Sequence, residues 1–126
     1  MGKWGKIVGF IIHLAVGGMM IFAGSGKVFG FAPPEIVKSM QEHGFGNKLV
    51  LIGSGEMIAA ILLLIPWTSS LGVLATSGFW GGAIAVHLGH GEPFALQAGM
   101  LTATWVGALL RTPQTFHSFS SLFGKT

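Results

Sequence analysis

Glu56 stands inside the apolar run LVLIGSGEMIAAILLLIP, residues 49–66, and no other acid of the chain falls in such a run. A carboxylate set in hydrocarbon costs several kcal/mol, so it must be protonated, paired or turned toward a wet cavity. Two groups near the ends of other apolar runs can answer it: the ammonium of Lys27 and the imidazole of His87. Gln97 and His90 follow at the mouth of the same region. Such a set can do one of two things. It can form a buried ion pair that fixes how two helices dock, or it can hold and pass protons beside a ligand. Residue types alone leave both open, and no catalytic residue is assigned.

Depth along the helices sorts these groups. A helix beginning near Asn47 carries Glu56 ~13 Å along its axis at 1.5 Å per residue. Lys27 and His87 close their own runs, and a lysine stem reaches several ångströms inward. Lys27, Glu56, His87 and Gln97 are therefore expected to converge in one buried polar cluster. His13 lies ~21 Å from Lys27 along the first run and belongs elsewhere, as a hydrogen-bonding residue between helices. The string VHLGHGE crowds His87, His90 and Glu92 on the surface, but without a constrained ligand set no metal site is assigned. GSGKVFG lacks the spacing and the preceding strand of a phosphate loop.

The elements that must position this cluster are read from the hydropathy pattern. Of 126 residues, 51% are hydrophobic and only 9% charged, with no Tyr and a mean hydropathy of +0.70. Soluble domains carry roughly 25% charged residues, so a chain this short has no way to hide its apolar surface from water. Runs at 7–24, 49–66, 71–88 and 94–110 each approach the ~20 residues that a helix needs to cross hydrocarbon. They do not alternate as barrel strands do. The expectation is an all-α, integral membrane four-helix bundle. It forms a single membrane domain over 1–126, with spans near 7–27, 48–66, 70–88 and 94–111.

The apolar stretch after Lys6 exceeds the 7–15 residues usual in a signal peptide, so the first run reads as an uncleaved helix. PPEIVKSMQEHG predicts a short amphipathic helix near 34–43 on the outer surface. The tail over 114–126, with Phe116, Phe119 and Phe123 on one face, is expected to lie along the interface. Small residues mark the faces that turn inward: Gly17 and Gly24 on the first helix, Gly53 and Ala60 on the second, Gly78 and Gly82 on the third.

With four crossings, both termini share one side with Lys3, Lys6, Arg111 and Lys125, against Lys27, Lys38 and Lys48 on the other. The excess of basic residues, four against three, places the termini in the cytoplasm. The net charge of +3 suits an anionic leaflet, and no basic, aromatic-laced stripe indicates nucleic acid. Zero cysteines exclude thiolate, disulfide, iron–sulfur and Cys-ligated zinc chemistry.

FAGSGKVFG closing the first run, GSGEMIAAILLLIPW on the second and GAIAVHLGHGEP closing the third resemble the DoxX-like family of small four-helix bacterial membrane proteins. The likeness extends from about Ile7 to Leu110, and it matches Lys27, Glu56 and His87 as polar positions. PWTSS departs from the basic residue often found after that proline. The resemblance implies an accessory or anchor subunit in the bacterial inner membrane, since some relatives accompany quinone-linked redox systems. No nucleotide, haem or iron–sulfur signature is present, so no intrinsic cofactor is expected. Bound quinone or lipid, and a protein partner within the membrane, would supply what the chain lacks. The alternative is an autonomous intramembrane enzyme acting on lipid or quinone, with Glu56 as acid/base. A small transporter is disfavoured because no span is broken by an internal proline.

Overall fold

With nothing in lipid to receive a backbone N–H or C=O, an apolar chain must satisfy its hydrogen bonds within itself, and the helix does so locally. A computed structural model of the chain, described over residues 2–117, shows this outcome. Five α-helices follow one another: α1 (Lys3–Phe29), α2 (Pro34–Glu42), α3 (Leu49–Leu64), α4 (Ser69–Gly89) and α5 (Ala95–Arg111). No strand occurs among the described residues. The chain is an all-α membrane protein. Two of its segments, Lys3–Phe29 and Pro66–Gly89, are long and apolar enough to cross a membrane, while α3 is apolar but shorter.

The four long helices close into a ring in which α1 packs on α3, α3 on α4, α4 on α5, and α5 back on α1. Val16, Met20, Ala59, Ala60, Leu63, Val73, Trp80 and Ala108 form the core. Most other large apolar side chains point outward: Phe22 and Trp4 are each 73% exposed, and Leu51 is 69% exposed. That inside-out distribution suits a bundle solvated by acyl chains.

Small residues decide where backbones meet. At Gly72 an added Cβ would run into the backbone of Leu63, so α3 and α4 touch main chain to main chain. Gly24 and Gly53 do the same for α1 and α3: a Cβ on either would lie 2.7 Å from the other's carbonyl oxygen. Gly17 faces Leu64, with a Cβ there 3.0 Å from its Cγ, and Ala60 is fully buried. Gly78 and Gly82, expected at helix contacts, are not there. Nothing stands within 4 Å of a Cβ on either; Gly78 is exposed, and Gly82 borders the cavity described below.

The connections are short and differently built. Gly30, at φ 86°, ends α1 in the left-handed conformation, and the N–H groups of Gly30, Phe31 and Ala32 all donate to the carbonyl of Gly26. The chain thus folds back sharply into α2. Between α3 and α4, Ile65 is extended and Pro66–Thr68 forms one 3-10 turn. Beyond α5, Phe116 packs edge-on against Trp105 with ring centroids 5.5 Å apart. Phe119 and Phe123 of the expected interfacial tail lie outside the described residues.

Candidate functional site

The close approach of Gly24 and Gly53 has a chemical consequence one turn further along each helix. A Cβ on Gly53 would also lie 2.8 Å from Lys27 Cβ, so the lysine stem runs directly along the α3 backbone. Lys27 Nζ then donates to Glu56 Oε1 at 2.7 Å. The two side chains are only 11% and 3% exposed. Here two charges removed from water stabilise each other, and neither is tolerable alone at this depth. Glu56 Oε2 makes no hydrogen bond among the described residues.

The pair sits on the wall of a half-open cavity of about 530 Å³ to which all five helices contribute. Its wall is largely apolar, with Ala23, Ile52, Phe79, Trp80, Ala83, Val86 and Leu96. Polar groups enter from three sides: Lys27 and Glu56, then His87 and Gln97, and finally Ser39 and His43 of α2. Gln97 Nε2 lies 3.3 Å from His87 Nε2 and, as an amide, is the donor. That leaves the imidazole proton of His87 on Nδ1. This atom is 3.1 Å from Glu92 Oε1 but outside hydrogen-bond geometry. The indole N–H of Trp80, buried with the rest of its ring, has no acceptor among the described residues. The ring of Trp80 lines the cavity, while its N–H is shut off from the open space.

The expected site residues therefore fall around one cavity, with a difference in pairing. Glu56 is held by Lys27, and no hydrogen bond joins it to His87. His90 turns outward, its ring nitrogen bonded to the Val86 carbonyl at 2.9 Å. No group of three His, Asp or Glu side chains among the described residues is arranged to hold a metal ion.

His43 is the residue that periodicity did not reveal. Its Nε2–H donates to Glu92 Oε1 at 2.6 Å, and its ring meets His90 and His87 edge-on at 4.6 and 5.5 Å. With Ile36 and Met40 it brings α2 over the cavity, so α2 is a roof for the bundle as well as an amphipathic surface helix. Only the tertiary position of α2 shows this. Its sequence, read alone, gives an apolar face and nothing of what that face covers.

A second polar cluster occupies the opposite end of the bundle. Arg111 donates to the carbonyls of Leu63 and Leu64 at 2.8 and 2.9 Å, closing the otherwise open C-terminus of α3. It also donates to His13 Nδ1 at 3.0 Å, so the His13 proton resides on Nε2, which donates to the Thr104 carbonyl at 2.9 Å. His13 is fully buried and its ring fills the space above Gly107. Both ring nitrogens of His13 and both Nη atoms of Arg111 have a structural partner. The cluster fastens α1, α3 and α5 together.

The model of the DoxX-like family matches residues 11–110. No curated protein and no solved structure matches the chain.

Proposed function

The chain belongs to the DoxX-like family, and from that premise we propose that it is an integral membrane subunit whose cavity receives the head of an uncharged, oxygen-bearing amphipath of the quinone class. The observation that carries this reading is the cavity itself, a mostly apolar space with a cation–carboxylate pair in its wall and Gln97 beside it. A quinone head is flat and apolar on its faces, and its carbonyl oxygens accept hydrogen bonds at the rim. Phe79 and Trp80 offer ring surface, and Lys27 and Gln97 are the donors. The volume falls within the range of ordinary small-molecule sites.

When bound, a quinone supplies two-electron, two-proton redox chemistry. The residues of this chain bind and orient it, exclude water, and hold a proton at Glu56 or His87. The redox partner is another membrane protein. We place the protein in the bacterial inner membrane with all four long helices crossing it. Both termini are cytoplasmic and the cavity mouth lies on the opposite face.

The test is saturable binding of decylubiquinone to the purified protein in nanodiscs, read by quenching of tryptophan fluorescence. Trp80 should report most of the saturable component, so Trp80→Phe should remove it, and Lys27→Met should weaken binding about tenfold. Quenching that rises without saturation, and equally in Trp80→Phe, would overturn the proposal. The free Oε2 of Glu56 favours one second reading, an autonomous enzyme using that carboxylate as acid/base on a lipid. Purification in mild detergent separates the two: a stoichiometric protein partner supports the subunit, and turnover of a retained lipid by the isolated bundle supports the enzyme.

A further inference from the structure

The roof of the cavity is fastened differently from its walls. None of the residues of α2 is buried, and it packs closely along none of the long helices. Glycines in the left-handed conformation stand on either side of it, Gly30 at φ 86° and Gly44 at φ 85°. These are backbone positions that turn the chain sharply and that side chains rarely occupy. Between them, the polar tie from α2 to the bundle is His43 Nε2 on Glu92 Oε1 at 2.6 Å. The His43 side chain is only 4% exposed, although the helix that bears it is exposed. It is braced from within α2 by Ser39 Oγ at 3.4 Å from Nδ1, and by the ring edges of His87 and His90.

We propose that α2 is a hinged lid over the cavity and that the His43–Glu92 bond is its latch, so that breaking this one contact sets the rate of ligand entry and exit. The proposal rests on the reading of the cavity as a ligand site and adds its regulation. The physical basis is a contrast in cohesion. The long helices share backbone contacts at Gly24, Gly53 and Gly72, whereas α2 is held by a few apolar side chains and one charge-assisted hydrogen bond. Elements with few buried contacts open first. The latch stands apart from the Lys27–Glu56 pair, so opening α2 withdraws Ser39 and His43 from the cavity wall but leaves that pair in place. The same Glu92 oxygen lies 3.1 Å from His87 Nδ1, so a ligand that draws on His87 also disturbs the latch.

The experiment has two independent readouts. The natural chain has no cysteine, so Lys38→Cys on α2 and Ala95→Cys on α5 allow two spin labels to be placed without background. With His43 present, the interlabel distance distribution in nanodiscs should be single and narrow. With His43→Ala or Glu92→Gln it should broaden or split. In stopped-flow quenching with decylubiquinone, both variants should raise the association and dissociation rates about tenfold, and in Glu92→Gln, whose residue lies outside the cavity wall, the dissociation constant should change less than about threefold. A purely structural loss would instead weaken affinity without that matched rise. An unchanged distance distribution in both variants overturns the lid. Unchanged exchange rates, with decylubiquinone still binding, overturn the latch. If decylubiquinone binds neither the natural protein nor any variant, the ligand reading fails, and the distance measurement still decides whether His43 holds α2 closed.

Discussion

At the scale of single residues, the Lys27–Glu56 pair is the most consequential contact, because neither charge has water to fall back on. Removing one partner of a buried pair costs about 3–5 kcal/mol, since the other remains charged and unpaired. Lys27→Met and Glu56→Leu should each lower the detergent melting temperature strongly. The Lys27→Met/Glu56→Leu double variant should recover most of the loss. A double variant as unstable as the sum of the singles would show that the pair does more than cancel its own desolvation. The neighbourhood of this pair was legible in the chain, because an acid alone in an apolar run demands a partner and Lys27 and His87 both lay at a matching depth; which of the two it takes was not. His43 was not legible. A histidine on an exposed, amphipathic helix has no burial signal, and its carboxylate, Glu92, is 49 residues away. The Arg111–His13 contact was half legible: His13 on a glycine face pointed to an interhelical bond, but nothing local tied it to the last residue of α5.

At the scale of elements, the glycines separate into two kinds that the sequence does not distinguish. Gly72 has the backbone of Leu63 where its Cβ would be, so Gly72→Ala must push α3 and α4 apart along their whole contact. Gly78 has open space, so Gly78→Ala meets nothing and gains roughly 0.5–1 kcal/mol of intrinsic helix stability. Thermal melting of the two variants in one detergent should therefore shift in opposite directions. A similar loss in both would mean that Gly78 faces a partner helix. Small residues at a spacing of four mark a possible close approach in any apolar helix, and that is why Gly78 and Gly82 read like Gly24 and Gly53. Which stripe is used depends on the rotation of α4 in the ring, and periodicity does not encode it. The helices themselves were plain, because long unbroken apolar runs leave the chain no other way to bond its backbone.

At the scale of the whole molecule, the ring order brings the start of α1 beside the end of α5: a Cβ on Gly9 would lie 2.5 Å from the Arg111 nitrogen. The two ends of the described chain therefore sit at one end of the bundle, and the cavity with its roof sits at the other. If all four long helices cross the membrane, reporters fused to either terminus must give the same answer. Green fluorescent protein should fluoresce and alkaline phosphatase should stay inactive at both ends, as expected of cytoplasmic termini. Opposite results at the two ends would show that one long helix fails to cross. The polar groups follow the same division, with His13 and Arg111 tying the terminal end rigidly and Lys27, Glu56, His87 and Gln97 surrounding space at the other.

The unequal lengths of the helices reach beyond the protein. With 16 and 17 residues, α3 and α5 measure about 24 and 26 Å at 1.5 Å per residue, against a hydrocarbon thickness of about 30 Å. Because α3 and α5 stand diagonally across the ring, with α1 and α4 between them, the surrounding lipid must pinch inward at two opposite places if all four helices cross, whereas the 27 residues of α1 fill an ordinary bilayer or tilt within it. Such alternating mismatch draws a protein toward thin membranes and toward neighbours that cover its short helices. Reconstituted into phosphatidylcholines of increasing acyl length, the bundle should melt highest in a short-chain lipid and lose stability steadily as the chains lengthen. A flat profile would mean that polar ends beyond α3 and α5 already absorb the difference.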